Sequence, residues 1–276
     1  MDNKSFLIAL LLAVCSLKAN AQTSKYDVNS DGAVNAADVV ALVNYIMNSA
    51  SGQETKAPEG AEAVDLGLPN GTKWANMNVG AERPEDYGLY FAWGETEGYG
   101  SDTGDGRSFD WASYKWMNEG QSAGMQVNKY QVIDGKIYGC WYDSVGKFIG
   151  DGKTTLELAD DAAYANWGDK WRMPTIAEIE ELVDNTTFEW TTVNGVAGQK
   201  FTSKTNGNSI FLPASGGRDA SGPDDQGRYG YYWLSSLNEY YSGGAHVLVF
   251  ASGFVNGMDY LRDRYYGFTV RPVLRN

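Results

Sequence analysis

Apolar positions change pattern three times along the chain, and each pattern predicts a different kind of segment. Residues 6–14 form an unbroken apolar run behind Lys4 and ahead of Ala19-Asn20-Ala21. Further on, Val39, Leu42, Val43, Ile46 and Met47 recur at i, i+3, i+4, i+7 and i+8, which is one apolar stripe on a helix. From residue 73 onward the apolar runs are short and broken by Gly, Asn and Asp. They predict strands over 73–79, 88–93, 210–213, 231–234, 246–250 and 268–273. Two segments predict helices instead. Residues 156–166 are rich in Ala and Asp. Residues 175–183 open with Thr175 and Glu178 spaced as a capping box behind Pro174, and Ile176, Ile179, Leu182 and Val183 give a buried face.

These patterns divide the chain. Residues 1–21, with a basic start, an apolar core and a small-x-small end, read as a secretory signal peptide. Lipidation at Cys15 is the rival reading, but Val14 is bulky for the residue before a lipidated cysteine. Residues 22–50 hold the helix stripe, residues 51–62 lack periodicity and read as a linker, and residues 63–276 form a large domain without a fixed-period repeat. No later segment has the ~20 apolar residues that a membrane-spanning helix needs. The expected location is therefore extracellular or at the cell surface.

Composition narrows the function classes. With 43% apolar residues, the chain can bury a core, and 33 glycines against 7 prolines favour turns and short strands. A net charge of −13, or −14 once Lys4, Lys18 and Asp2 leave with the signal peptide, argues against nucleic acid as a partner. Removal of residues 1–21 leaves Cys140 as the sole cysteine, so the domain holds together without an internal disulfide. The single histidine, His246, rules out a multi-histidine metal site, and its apolar surroundings suit a structural strand residue better than a Ser-His-Asp triad.

Residues 27–38 carry the sharpest motif. Asp27, Asn29, Asp31, Asn35 and Asp38 occupy positions 1, 3, 5, 9 and 12 of a loop, with Gly32 at position 6. Calcium takes six to eight hard oxygen ligands, and this spacing converges them, with Ala33 adding its backbone carbonyl. The loop, followed by a single exit helix, resembles the dockerin repeat. That resemblance implies Ca²⁺ as cofactor and a cohesin-like partner met through Val39, Leu42, Val43, Ile46 and Met47. A complete dockerin has two repeats, and one is visible here. Ala36 and Ala37 stand where hydroxyl residues usually help to read the cohesin.

Ordered phrases run through the large domain. They include Val64-Asp65-Leu66-Gly67-Leu68, Lys73-Trp74-Ala75, Phe91-Ala92-Trp93-Gly94-Glu95, Trp171-Arg172-Met173-Pro174-Thr175 and Val270-Arg271-Pro272-Val273. They resemble the Fibrobacter succinogenes major paralogous domain found in secreted proteins of Bacteroidetes and Fibrobacter. The resemblance implies an α+β, C-type lectin-like fold of short strands with two central helices. It also implies terminal strands that pair, residues 64–68 against 268–273. The Glu-Pro-Asn, Gln-Pro-Asp and Trp-Asn-Asp phrases of calcium-dependent sugar sites do not occur.

The expected function is a secreted or surface module that binds or displays without catalysis, carrying a calcium-stabilised docking element. The alternative is a polysaccharide-degradation component, a carbohydrate binder or weak glycosidase, recruited through the same repeat. For a glycan platform the aromatics Tyr99, Phe109, Trp111, Tyr114 and Trp116 are favoured over Trp93 and the cluster Tyr229, Tyr231, Tyr232 and Trp233. The carboxylate pairs Glu95/Glu97 and Asp160/Asp161 are catalytic only on paper, and no catalytic residue is assigned. Asp102, Asp105 and Asp110 have no recognisable metal-loop spacing.

Overall fold

Among the described residues, strands dominate. In chain order they are β1 (Ala63–Asp65), β2 (Lys73–Ala75), α1 (Ala162–Trp167), β3 (Trp171–Arg172), α2 (Ile176–Asn185), β4 (Thr186–Val193), β5 (Val196–Ser203) and β6 (Ser209–Pro213). There follow β7 (Gly217–Asp219), β8 (Gly222–Asp224), β9 (Tyr229–Leu237), β10 (Gly244–Ala251), β11 (Phe254–Asn256), β12 (Leu261–Asp263) and β13 (Val273–Leu274). The computed structural model describes residues 56–101, 104, 106–117, 127–132, 145, 147–256 and 260–275. The signal segment 1–21 with Cys15, the calcium-loop residues, the helix stripe, Asp102, Asp105 and Cys140 lie outside the described residues.

The longest apolar runs become the strands around which the rest packs. β9 and β10 pair antiparallel, and their side chains alternate between two cores. Tyr231 and Trp233 on β9, with Val247 and Val249 on β10, join a core containing Trp93, Trp167, Trp171 and Phe268. Tyr232 and Leu234, with Leu248 and Phe250, join another built on Trp74, Leu182, Phe201 and Leu212. A strand buried on both faces needs a continuous apolar run instead of an alternating one, which is what Tyr231-Tyr232-Trp233-Leu234 and Val247-Leu248-Val249-Phe250 supply. β11 and β12 extend the same sheet from β10.

The expectation of an α+β, C-type lectin-like fold with two central helices is overturned. Among the described residues the domain is mostly antiparallel β, and the two α-helices there have only six and ten residues. Two local causes stand out. Residues 156–166 were expected to be one helix, but Leu156 N–H is bonded to the Ser235 carbonyl, residues 158–160 form a 3₁₀ turn, and only Ala162–Trp167 is α-helical. Gly168, at φ +87°, ends it. In addition, residues 186–203 carry a hairpin of two eight-residue strands, β4–β5, turning at Asn194-Gly195 with φ of 48° and 87°. Both values are positive, as a tight primed hairpin turn requires. β6 completes that sheet.

The two ends of the large domain meet in one sheet of order β1-β2-β13-β3. Val273 pairs with Trp74 on one side and Arg172 on the other. The expected pairing of 64–68 with 268–273 is therefore displaced by one strand, since β2 lies between β1 and β13. Three buried arginines stitch this frame, two of them, Arg271 and Arg264, through neutral acceptors. Arg271 donates to Asn78 Oδ1, the Ala75 carbonyl and the Phe211 carbonyl at 2.8, 3.1 and 2.9 Å. Arg264 bonds Tyr114 Oη and the carbonyls of Lys129 and Ser242, with its guanidinium over the Trp93 ring. Arg218 reaches the Gly100 carbonyl and lies against Phe109.

Candidate functional site

The sequence-favoured aromatics are mainly structural. Phe109, Tyr114 and Trp93 are buried, as are Tyr231, Tyr232 and Trp233, while Tyr99, Trp111 and Trp116 are half-buried against them. Trp116 donates its indole N–H to the Gly94 carbonyl, and Lys115 and Lys129 both have their ammonium groups over its ring. The ring of Trp116 is thus engaged by two ammonium groups of the chain itself.

The carboxylate pairs have structural partners as well. Glu95 is buried, receives a guanidinium nitrogen of Arg107 on both oxygens at 3.0 Å and accepts the Lys115 amide, whereas Glu97 is exposed. Asp160 accepts from Tyr130 Oη at 2.5 Å and Lys129 Nζ at 2.6 Å. Asp161 accepts from the amides of Ala163, Tyr164 and Met173, capping α1 and tying it to the segment after β3. Burial pushes its carboxyl up to about 6, against the opposing pull of those amides. Asp110 is held by Ser108 and Ser113, and the Ser108 bond keeps its pKa below the ordinary value. Among the described residues, no group of three or more His, Cys, Asp or Glu side chains could hold a metal ion. No helix among them is long and apolar enough to cross a membrane.

Two clefts remain. One of about 380 Å³ lies along β4, β5 and β6, lined by Thr191, Val193, Lys200, Ile210 and Phe211 among others. The other, of about 500 Å³, is lined by Thr154 and Thr155, Ile176 at the start of α2, the end of β9 and the turn after it (Ser236 to Tyr240), His246 on β10 and Leu261 on β12. Local bonding fixes its walls. Thr154 and Thr155 are strapped to β9 by the Leu237 amide and a bridge to Ser236, and Ser236 Oγ accepts the Ile176 amide at 3.2 Å. His246 is half-buried here and pairs with Leu261. Sequence reading passed over this cleft. The available signal was a tyrosine set among Asn238, Glu239, Ser242 and Gly243, where turn residues are expected.

Residues 25–66 match the dockerin type I domain. The match includes every residue of the expected calcium loop and the helix stripe, and it runs on to β1. The dockerin segment contains the loop pattern once; beyond residue 50 no second set of oxygen side chains follows at that spacing. No curated protein and no solved structure matches the chain.

Proposed function

We propose that this chain is a secreted or cell-surface module that binds or displays without catalysis and is recruited through a calcium-ordered dockerin element at its N-terminal end. The observation that carries the reading is the coincidence of the dockerin match with the oxygen spacing of residues 27–38. The donor set fits a hard cation. Asp27, Asn29, Asp31, Asn35 and Asp38 offer only oxygen, the Ala33 carbonyl adds another, and no sulfur or imidazole competes. Calcium, when bound, supplies the counter-charge for three carboxylates that otherwise repel one another.

The chain's own residues do the rest. Asp38 closes the loop at the residue before the helix, so ordering the loop fixes the start of a segment too short to hold a helix alone. Val39, Leu42, Val43, Ile46 and Met47 then present one apolar face, and a cohesin-like domain is the partner we assign to it. The domain plan is a signal peptide over 1–21, the docking element over 22–50, a linker over 51–62 and the large domain over 63–276.

The phrases that resemble the Fibrobacter succinogenes major paralogous domain bear on framework more than on chemistry. Trp93 donates to the Leu234 carbonyl, Arg172 clamps Glu178, and Arg271 joins three segments. Residues used this way hold a scaffold, which suits a binding domain whose site lies elsewhere.

Calorimetric titration of the full chain with calcium tests the docking element. Uptake of one ion is expected, abolished in the Asp27→Ala/Asp31→Ala double variant. Equal uptake by both proteins removes the site. A second arm measures binding to a type I cohesin with calcium and with a chelator; binding that ignores the chelator, or none at all, removes the partner.

A further inference from the structure

We propose that the cleft lined by Thr154, Ser236, Asn238, Glu239, Tyr240 and His246 is a saccharide-binding site, with Tyr240 as its stacking face. The inference deepens the proposed function by naming what the large domain binds, and it rests on reading that domain as a non-catalytic binding module. It does not depend on the docking element.

Tyr240 is 90% exposed, more than any other large apolar or aromatic side chain described. A ring in water forgoes the burial that aromatics ordinarily gain. Its turn, however, is firmly built. Asn238 Oδ1 accepts the Tyr240 amide at 2.9 Å, the Asn238 amide reaches the Gly244 carbonyl at 3.1 Å, and the Gly244 amide returns to the Tyr241 carbonyl at 2.9 Å. Tyr241 Oη is tied to Asp263 at 3.0 Å, and Ser242 is fully buried. One ring is thus left free on a turn that Asn238, Tyr241, Ser242 and Gly244 hold in place. That geometry pre-organises a contact surface, so little ordering cost remains for binding.

The lining selects the ligand class. None of its residues is Lys or Arg, and the chain carries net charge −13, so an anion finds no counter-charge there. Glu239 is its one carboxylate, too few for a cation cage. Hydroxyl, amide and imidazole groups alternate with Ile176, Leu237 and Leu261, which leaves no continuous apolar wall for a lipid chain. Asn238 is only 5% exposed and its Oδ1 holds the Tyr240 amide, so its side-chain amide is set in place at the wall of the cleft. What remains is a neutral ligand rich in hydroxyls that also has a C–H face to lay on a ring, and a pyranose meets both demands. The volume, about 500 Å³, lies within the usual range for small-ligand sites.

The test is a glycan array of plant, microbial and host oligosaccharides, read with the full chain and followed by calorimetry on the strongest ligand. Wild type is expected to retain at least one class of glycan. Tyr240→Ala is expected to weaken it by roughly tenfold or more with an unchanged melting temperature, because the ring contributes nothing to the core. Tyr240→Trp is expected to keep binding, and Asn238→Ser to weaken it. The Asp27→Ala/Asp31→Ala variant is expected to bind glycan as wild type does, so failure of the docking element leaves this result untouched. An array with no retained glycan, or affinity unchanged by Tyr240→Ala, overturns the proposal.

Discussion

Replacing Arg271 with methionine isolates the role of a buried cation that holds three segments together. The side chain is 1% exposed, and its three acceptors come from the end of β2, from Asn78 beyond it and from β6. Asn78 in turn donates to the Tyr87 carbonyl at 2.9 Å, so its orientation is set and it cannot swing to another donor. Methionine fills much of the volume but leaves Asn78 Oδ1 and two backbone carbonyls without a donor. Each orphaned buried acceptor costs about 1–3 kcal/mol. Part of that is offset, because a buried cation is itself costly; burial pushes the guanidinium down to about 10. The net expectation is a loss of about 3–5 kcal/mol, or roughly 10 °C in melting temperature for a domain of this size. Arg271→Lys is expected to recover less than half of it, since one compact ammonium cannot serve three acceptors arranged around a planar fork. Urea unfolding followed by tryptophan fluorescence measures both variants. If Arg271→Met unfolds within about 1 kcal/mol of wild type, the stitching argument fails.

Other substitutions probe different parts of the frame. Burial pushes Glu178 up, but the Arg172 fork at 2.6 and 2.7 Å and the Thr175 amide outweigh it, so its pKa lies below the ordinary 4.5. A depressed carboxylate adds stability that is present above pH 4.5 and lost as pH falls through the folded pKa; Glu178→Gln is expected to lower the melting temperature at pH 7 and to narrow the gap from wild type below pH 4. Glu181 accepts from the Asn70 amide and, at 2.7 Å, from Thr72 Oγ1, anchoring the turn before β2 to α2; Glu181→Ala is expected to cost about 2 kcal/mol in chemical denaturation and to speed proteolysis around residues 69–72. Gly230 sits where a Cβ would come within 2.1 Å of the Phe250 ring, which is fully buried; Gly230→Ala is expected to destabilise by about 1–3 kcal/mol, and an unchanged melting temperature would show that the β9–β10 packing is looser than described.

Legibility from sequence followed how local the cause was. The start of α2 was readable because Thr175 and Glu178 satisfy each other within one turn, and the capping box forms as expected. The helix α1 is shorter than its Ala-rich segment suggests because Leu156 is bonded to β9 instead of to a helical turn. The β4–β5 hairpin carries an Asn-Gly turn signal, but its flanking strands are rich in Thr and their apolar alternation is weak, which hides the pairing. Distant causes left no trace in local pattern. Nothing near Arg271 announces that its acceptors lie 60 and nearly 200 residues away. Tyr240 is illegible for the opposite reason: a single exposed ring in a turn has no periodicity, whereas the denser aromatic stretches build the core.

The central place of β13 in the β1-β2-β13-β3 sheet has a consequence for how the protein is made. Trp74 emerges early but waits about 200 residues for Val273, its neighbour in the sheet. At ribosomal speeds of ~5–20 residues per second, that delay is on the order of ten to forty seconds. During it, β2 and β3 face an open slot between them, and the buried arginine that joins β2 to β6 has not yet appeared. The frame of the large domain therefore locks last, when residues 271–273 bring the strand that fills the slot and the guanidinium that joins β2 to β6.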